Sequence, residues 1–310
     1  MNILDEAFEL KEYMVEQRNY FHSHPELGLQ EFNTCNHIEE ELNKAGIKNR
    51  RVAGTNVIAE IDSGRPGKTL FLRADIDALP IQDAKDVPYR SQTSGIMHAC
   101  GHDGHAAYLL GAAKLILKHK SEFTGKVILA FQAAEEIGKG ARDIIAAGVL
   151  DNVDRTFGIH FASEFPVGSY GIKSGADMAS CDRWKIKIHG KAAHITTPQN
   201  GSDSLFIGAL IATQLQTAES RKKMADAVRS IAQNVAAEYG ATAYFSIEKR
   251  FMADNFADYS RKAPGTYVHV GSSDGPATSV AHHNEYFDLA EDSYSYAAAL
   301  AVQYTLDYLC

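Results

Sequence analysis

The stretch HACGHDGH, residues 98 to 105, brings histidine, cysteine and aspartate side chains close together in the chain. A thiolate and an imidazole two positions apart, Cys100 and His102, suit a borderline-soft divalent cation such as zinc. The glycines at 101 and 104 allow a tight backbone turn, so that both side chains can point the same way. Chance clustering is the alternative explanation, and the rest of the chain decides between the two.

A pair of adjacent carboxylates, Glu135 and Glu136, follows an apolar run in the stretch FQAAEEIGKG. Neighbouring side chains at a strand end point in different directions, so one carboxylate can bind a cation while the other acts as a base. Taken alone, such a pair is more often a solvent-exposed helix start. Its position after a buried strand, in a chain that also contains HACGHDGH, favours the catalytic interpretation.

Further acids and histidines follow apolar runs elsewhere in the chain. They lie in LRADIDALP, which contains Asp75 and Asp77, in FGIH, which ends at His160, and in AHHNEYFD. A zinc-dependent deaminase also uses a histidine or cysteine motif, but it needs a Pro-Cys-x-x-Cys string, which this chain lacks. The residues therefore indicate a metal site of another kind.

Alternating helix-like and strand-like segments position these residues in the first part of the chain. The strings TLFLRAD, KVILAFQ and RTFGIH are typical of short buried strands, whereas FNTCNHIEEELNKAG and GHAAYLLGAAKLILKHK are typical of helices. This order predicts an α/β sheet with helices on both faces. Ligands of such sheets bind at the carboxyl ends of strands, which is where the candidate residues are expected.

The pattern changes from about Trp184 onward. RWKIKIHG and ATAYFSIEKRF alternate like half-exposed strands, and they enclose two long helical patterns, GSDSLFIGALIATQLQT and ESRKKMADAVRSIAQNVAAEYG. We therefore expect a satellite domain at residues 183–242, inserted into a catalytic domain formed by residues 1–182 and 243–310.

Composition limits the function classes. The chain has 310 residues and a formal net charge of −8, and an acidic protein is a poor partner for nucleic acid. It contains no apolar run long enough to predict a membrane span. The first residues lack the pattern of a signal peptide, so the sequence favours a cytoplasmic protein. The cysteines at 35, 100, 181 and 310 are scattered, which does not indicate a disulfide framework.

As a set, the motifs resemble those of the metal-dependent amidohydrolases and carboxypeptidases that include hippurate hydrolase, aminobenzoyl-glutamate hydrolase, N-acetyl-diaminopimelate deacetylase and the plant auxin-conjugate hydrolases. The matching strings, in the family's order, are FHSHPELGLQEFNT, LRADIDALPIQ, MHACGHDGHAAYLLGAA, FQAAEEIGKGA, GIHFASEFPVGSYGIKSGADMAS, HGKAAHITTPQNGSDSL, APGTYVHVG and HHNEYFDLAED. The resemblance implies a zinc-peptidase-like α/β catalytic domain, with a central mixed sheet flanked by helices. It also implies an α+β satellite for dimerisation, here shortened.

The resemblance implies a site for two divalent cations, which would be zinc, manganese or cobalt. Cys100 would bridge both cations as a thiolate, and Glu135 would be the general base. The other ligands would be His102 and Glu136 for one cation, and His160 and His283 for the other. His283 is preferred to His282 because the family's ligand stands four residues before the phenylalanine, here Phe287.

Other residues receive supporting roles from the same resemblance. Asp75 and Asp77 would orient the ligands, and His194 would reach the substrate carbonyl from the satellite, often across a dimer interface. Either a structural role or a role in orienting the ligands is expected for four further histidines: His22, His24, His98 and His105. The implied reaction cleaves the amide bond of an N-acyl amino acid or small peptide, which releases a carboxylic acid and an amino acid.

The chain is shorter than the family pattern at two places, after IATQLQT and after SIEKRF. The first gap removes strands of the satellite together with contacts for the substrate's carboxylate. A lone strand at 184–189 would lack backbone partners, and apolar residues would lack cover: Leu205, Ile207, Leu210, Ile211 and Leu215. We therefore expect a homo-oligomer. Two functions remain open: an active amidohydrolase, or a shortened relative that keeps the metal site as a weakly active, binding or vestigial protein.

Overall fold

The computed structural model describes residues 2–172, 174, 181–215, 242–250 and 254–310. The chain divides into two compact units. The first unit combines Met1–Met178 with Ala253–Cys310, and the second is Ala179–Met252. Among the described residues, no helix has both the length and the apolar character needed to cross a membrane.

The first unit alternates helices and strands along most of its length. Its helices are α1 (Ile3–Glu9), α2 (Lys11–Ser23), α3 (Phe32–Lys44), α4 (His102–Lys118), α5 (Gly140–Ala146), α7 (Phe256–Ser260) and α8 (Asp292–Leu309). Its strands are β1 (Lys48–Val52), β2 (Asn56–Asp62), β3 (Thr69–Asp75), β4 (Lys126–Gln132), β5 (Arg155–Pro166), β6 (Tyr170–Gly171) and β9 (Gly265–Ser273). Short 3₁₀ turns follow α4 and β9, at Lys120–Glu122 and Pro276–Thr278.

These strands form one mixed sheet in the order β1-β2-β4-β3-β5-β9-β6. The centre is parallel, since β3 pairs in parallel with both β4 and β5, and β5 pairs in parallel with β9. The β1, β2 and β6 strands pair antiparallel with their neighbours. The expected α/β fold with a central mixed sheet flanked by helices is therefore confirmed.

Apolar side chains cover both faces of the sheet, which explains the almost continuous apolar runs in its strands. In β3, Leu70 and Leu72 belong to a large core cluster with residues of α2, α4 and α8. Phe71, between them, belongs to a smaller cluster with Ile144 of α5 and Tyr259 of α7. Successive strand residues point to opposite faces, so helices are required on both sides.

Parallel register brings the candidate residues to one edge of the sheet. Arg73 of β3 pairs with Gly158 of β5, so Asp75 and His160 lie two residues further along their strands. His160 was expected at the end of its strand, but β5 continues to Pro166. The parallel pairing of β3 with β5, and not the end of β5, therefore places His160 at the same level of the sheet as Asp75.

The second unit contains β7 (Cys181–His189), a 3₁₀ turn (Pro198–Asn200), α6 (Ser204–Leu215) and β8 (Thr242–Arg250). The expectation of a lone strand is wrong, because β7 pairs antiparallel with β8 along its whole length. The unit extends to Met252, beyond the predicted satellite boundary, since it includes β8. The helix predicted from ESRKKMADAVRSIAQNVAAEYG lies outside the described residues.

The side chains of α6 do not all lack cover, as the sequence had suggested. Ile207 and Ile211 are buried, which corrects the expectation for these two residues. Leu205 is 82% exposed, in agreement with the expectation, and Leu210 is partly buried. The side chain of Leu215 lies outside the described part of the chain.

Candidate metal centre

The cysteine of HACGHDGH lies just before helix α4, and His102 is the first residue of that helix. Gly101 separates them with φ of 89°, a left-handed conformation that glycine adopts without steric cost. The carboxylates Glu135 and Glu136 come from the turn that follows β4. Two separate segments of the first unit thus bring chemically active side chains together.

One group of metal-capable donors consists of Cys100, His102 and Glu136, whose donor atoms all lie within 4.8 Å of one another. Asp77 fixes the ring of His102: its main-chain oxygen lies 2.9 Å and its Oδ1 3.2 Å from Nδ1. Because Nδ1 is bonded to Asp77, Nε2 is the ring nitrogen that remains to bind a cation. That atom is directed toward the site, 4.0 Å from Glu136 Oε1.

A second group consists of Cys100, His160 and His282, with the same limit of 4.8 Å between donor atoms. His160 donates from Nδ1 to the main-chain oxygen of Phe161 at 2.7 Å. Its Nε2 then faces Cys100 Sγ at 3.6 Å. The two groups share Cys100. His102 and His160, whose Nδ1 atoms are held by hydrogen bonds, each present Nε2 to the site.

The structure separates the two histidines of the AHHNEYFD loop. The ring of His282 lies beside that of His160 in a tilted arrangement, with ring centroids 5.2 Å apart, and its Nδ1 has no hydrogen-bond partner among the described residues. His283 has a positive φ of 61° and its Nε2 lies 3.4 Å from Glu136 Oε1. The resemblance implies His283 as the metal ligand, but in the structure it is the neighbouring His282 whose donor atom lies close to those of Cys100 and His160.

His105 also lies within this cluster, but both of its ring nitrogens are engaged. Its Nδ1 is hydrogen-bonded to Asp75 Oδ1, and its Nε2 accepts a hydrogen bond from the N–H of Phe161 at 3.1 Å. A ring with both nitrogens occupied has no lone pair for a cation. His105 is therefore suited to hold Asp75 in place, in line with the structural role expected from the sequence.

The other histidines that were expected to be structural lie outside the donor groups. His22 is buried, with Nδ1 2.6 Å from Asp103 Oδ2 and Nε2 2.9 Å from the ammonium of Lys85. His24 bonds through Nδ1 to the main-chain oxygen of Tyr20 at 2.8 Å. His98 is buried, and burial lowers its pKa to about 3, so it is neutral.

Asp75 lies between a buried cation and the donor groups. Its Oδ2 is 2.8 Å from Arg73 Nη1 and 3.4 Å from His102 Nε2. Burial disfavours the charged form of Asp75, but Arg73, His102 and His105 outweigh it and hold its pKa well below the usual range. This carboxylate is ionised and polarises the imidazoles beside it.

Glu135 is buried at the centre of the site. The main-chain N–H of Asn255 donates to its Oε1 at 3.1 Å. Burial, followed by the nearby Asp254, raises the pKa of Glu135 well above its ordinary value, although Arg73 and His102 act in the opposite direction. A carboxylate whose charged form is destabilised in this way is a stronger base.

The donor set fits divalent cations. His102 Nε2 and Glu136 Oε1 are buried, and neither has a hydrogen-bond partner among the described residues. Burial raises the pKa of the Cys100 thiol, although His102 lowers it, so the thiolate is costly without a compensating cation. Thiolate, imidazole and carboxylate together are the ligands of zinc and related metals.

Sequence reasoning missed the residues that support this site from behind. Arg73 is buried, and its guanidinium binds Asp254 through two hydrogen bonds of 2.8 and 2.7 Å. It also donates to Gln132 Oε1 at 3.0 Å. An arginine inside the apolar strand TLFLRAD was the available signal, because a buried charge requires a partner.

His194, expected to act on the substrate, belongs to the second unit. It is exposed, and its Nδ1 lies 2.8 Å from the hydroxyl of Thr196. Its role remains a prediction.

The mixed sheet brings cysteine, histidine and glutamate donors together beside a buried carboxylate. This arrangement is typical of metallopeptidases. The chain belongs to the peptidase family M20/M25/M40, whose family model matches residues 71–307. The family resemblance found in the sequence is thus confirmed.

Relatives with curated descriptions match roughly two thirds of the chain. Thermostable carboxypeptidase 2 of Saccharolobus solfataricus is 41% identical over 218 residues, which cover 69% of this chain and 56% of the relative. N-acetyl-L-cysteine deacetylase of Bacillus subtilis is 43% identical over 213 residues, covering 68% and 51%. The matched part of the chain thus spans about half the length of these relatives.

A solved structure covers the chain more fully. The YXEP protein of Bacillus subtilis, described as a dinuclear metal binding peptidase from the M20 family, has a TM-score of 0.78 and 30% identity. The match covers 97% of this chain and 99% of that chain.

Proposed function

We propose that the chain hydrolyses the amide bond of N-acyl amino acids or small peptides, and that it uses two divalent cations. The observation that carries this proposal is the pair of donor groups that share Cys100, next to the buried carboxylate of Glu135. The descriptions of the relatives as a carboxypeptidase and a deacetylase support the same reaction class.

In this proposal, Cys100 would serve both cation sites. His102 and Glu136 would complete one site, and His160 and a histidine of the AHHNEYFD loop would complete the other. Zinc, manganese and cobalt are the candidates that the ligand chemistry supports. Bound cations of this kind acidify water and polarise the amide carbonyl.

The chain's own residues move the proton and keep the site in order. Glu135 takes a proton from the attacking water and later donates it to the leaving amine. Asp77 holds His102 in the tautomer that exposes Nε2, and Asp75 holds its charge beside the same ring. His194 is proposed to stabilise the negative charge that develops on the substrate oxygen.

The test is an assay of N-acyl amino acids with protein purified without chelator, after addition of zinc, manganese or cobalt. We expect hydrolysis that a chelator removes and that the added cation restores. Elemental analysis of the same sample should find about two divalent cations per chain, as in other two-metal sites. Protein that takes up none of the three cations would contradict the proposal.

The second candidate is a shortened relative that keeps the metal site but turns over weakly, as a binding or vestigial protein. It is favoured by the gap after IATQLQT, where the resemblance places contacts for the substrate's carboxylate. Metal uptake together with micromolar binding of an N-acyl amino acid, but without hydrolysis, would favour this candidate. Metal uptake with hydrolysis favours the first.

Several wider assignments belong to the same proposal. The first unit, Met1–Met178 with Ala253–Cys310, would be the catalytic domain, and the second unit would be the satellite. The partner of the chain would be its small-molecule substrate. The chain would assemble as a homo-oligomer. Location in the cytoplasm stays a prediction from the sequence.

A further inference from the structure

The turn that carries Glu135 and Glu136 is held through its main-chain amides by side chains from three distant segments. Each of three amides in this turn donates one hydrogen bond to a side-chain oxygen. The pairs are Ala133 with Asn56 (2.9 Å), Ala134 with Glu31 (2.8 Å), and Glu136 with Asp77 (3.0 Å). The position of the turn therefore depends on these side chains as well as on β4.

Ala134 is the residue of this turn that most needs support. Its φ is 53°, a left-handed conformation that costs a non-glycine residue about 1 kcal/mol or more. It directly precedes Glu135, so a change in its backbone dihedral angles would redirect the Glu135 side chain. Its N–H is satisfied by Glu31 Oε1.

Glu31 is an unusual group to find in this position. Its side chain is fully buried, and its second oxygen accepts a hydrogen bond from the Thr55 hydroxyl at 2.7 Å. Among the described residues no cation pairs with it, and a buried carboxylate without a cation is costly. Packing alone does not explain such a polar group, whereas the need of the buried Ala134 amide for an acceptor does.

The loop that contains Glu31 also lies against the neighbouring strand end. Gly28 approaches so closely that a Cβ there would lie 3.2 Å from Ala134 Cα and 3.4 Å from Asp77 Oδ2. The main-chain oxygen of Glu26 accepts a hydrogen bond from the N–H of Ala78 at 2.9 Å. This loop therefore braces two catalytic segments, the one after β3 and the one after β4.

We propose that Glu31 is a positioning residue for Glu135: through its hydrogen bond to the Ala134 amide, it holds the strained turn in the conformation that aims Glu135 into the site. This inference rests on the proposed role of Glu135. A misplacement of about 1 Å in a reacting group can cost on the order of a hundredfold in rate. Glu31 thus acts on the reaction without touching the substrate.

The test compares Glu31→Ala with Glu31→Gln. The glutamine keeps an acceptor for the Ala134 amide, and the Thr55 hydroxyl can turn to accept from its Nε2. Glu26→Ala is the matched control, because Glu26 anchors the same loop to the start of α3, with Thr34 N at 2.8 Å, and has no bond to the turn. Amide hydrogen exchange of residues 133–138 is measured on the metal-free proteins, together with kcat, KM and metal content on the loaded ones.

In Glu31→Ala we expect exchange in the turn to become at least about tenfold faster, because a hydrogen-bonded buried amide opens rarely. The kcat should fall about tenfold to a hundredfold, with KM and metal content little changed. Glu31→Gln should restore both exchange and kcat to near the parent values. Glu26→Ala loosens the same loop but keeps the bond from the Ala134 amide to Glu31, so it should change both much less than Glu31→Ala does.

Three results would overturn the inference: unchanged exchange in Glu31→Ala, no rescue by Glu31→Gln, or an equal loss of kcat in Glu26→Ala. A parent protein without activity would instead contradict the proposed function. The exchange measurement would still report whether Glu31 holds the turn, so the two failures are distinguishable.

Discussion

The carboxylates of Glu135 and Glu136 are adjacent in the chain but meet different partners. Glu135 Oε1 accepts a hydrogen bond from the Asn255 N–H at 3.1 Å, whereas Glu136 Oε1 lies 3.4 Å from His283 Nε2. Burial raises the pKa of Glu135. Burial also opposes ionisation of Glu136, but His283 and His102 outweigh it and lower its pKa. One carboxylate is thus suited to proton transfer, and the other to cation binding.

This division of roles predicts opposite phenotypes for two matched substitutions. Glu135→Gln should abolish turnover and leave metal content unchanged, because an amide keeps the shape but accepts no proton. Loss of a general base typically costs about 10²–10⁴ in rate. Glu136→Gln should instead lower metal affinity, measured by titration with zinc. If the two variants behave alike, the assigned roles are wrong.

The two histidines of the AHHNEYFD loop provide a second matched pair. His282 shares a donor group with Cys100 and His160, so His282→Ala should reduce the bound metal from about two cations per chain to about one. His283→Ala should retain both, since its Nε2 contacts only the carboxylate of Glu136 within the described site. Elemental analysis after dialysis measures the stoichiometry. The reverse pattern would support the spacing argument that selected His283.

Parts of the fold were predictable because local patterns determine them. The apolar runs TLFLRAD and KVILAFQ form β3 and β4 with the predicted bounds, Thr69–Asp75 and Lys126–Gln132. Strands covered on both faces have continuous apolar sequences, which are readable from a single chain. The cluster of cysteine and histidine at 98–105 could also be recognised in the sequence, because its members are close together in the chain.

Contacts between residues far apart in the chain could not be predicted from a single sequence. The bond from Ala134 to Glu31 joins residues 103 positions apart, and that from Asn255 to Glu135 joins residues 120 apart. The pairing of β7 with β8 was missed for the same reason, because the sequence pattern of a strand does not name its partner. For the two adjacent histidines, the ring of His282 lies beside His160 while that of His283 lies at Glu136, and spacing in the sequence cannot report such an orientation.

Oligomerisation is predicted from the surface of the second unit. Ile195 is 89% exposed, Leu205 82% and Phe206 49%, and exposed apolar side chains of this size are often covered by a partner. We expect a dimer in light scattering of the whole chain, and weaker association in Leu205→Glu. Leu205→Ser, which removes apolar area without adding charge, is the control. A parent chain that stays monomeric at high concentration would contradict the prediction.

Glu31 should make the free energy of unfolding depend on pH. Burial raises its pKa from an ordinary 4.5 to about 7, although the Thr55 hydroxyl lowers it. The folded state therefore binds the proton more tightly than the unfolded state does. This contribution is fully present below pH 4.5 and is lost as the pH rises through 7, by an amount on the order of 3 kcal/mol.

Urea unfolding of the parent and of Glu31→Gln, from pH 4.5 to 8, measures the difference between the two proteins. The parent should lose stability relative to the variant as the pH rises. Other titrating groups are common to both proteins, so they cancel in the comparison. A difference that stays constant across this range would show that Glu31 is not held protonated by burial.

The buried pair of Arg73 and Asp254 should be among the most sensitive positions for stability. Both side chains are buried, and Asp254 accepts two hydrogen bonds from the guanidinium and one from Tyr267. Asp254→Ala leaves Arg73 with Asp75 as its remaining carboxylate, and removal of one member of a buried ion pair costs roughly 3–5 kcal/mol. Glu60→Ala is the control, because its ion pair with Lys126 is partly exposed to solvent and should contribute less than about 1 kcal/mol. Thermal and urea unfolding would measure both variants, and equal small losses would show that Asp75 alone compensates the charge of Arg73.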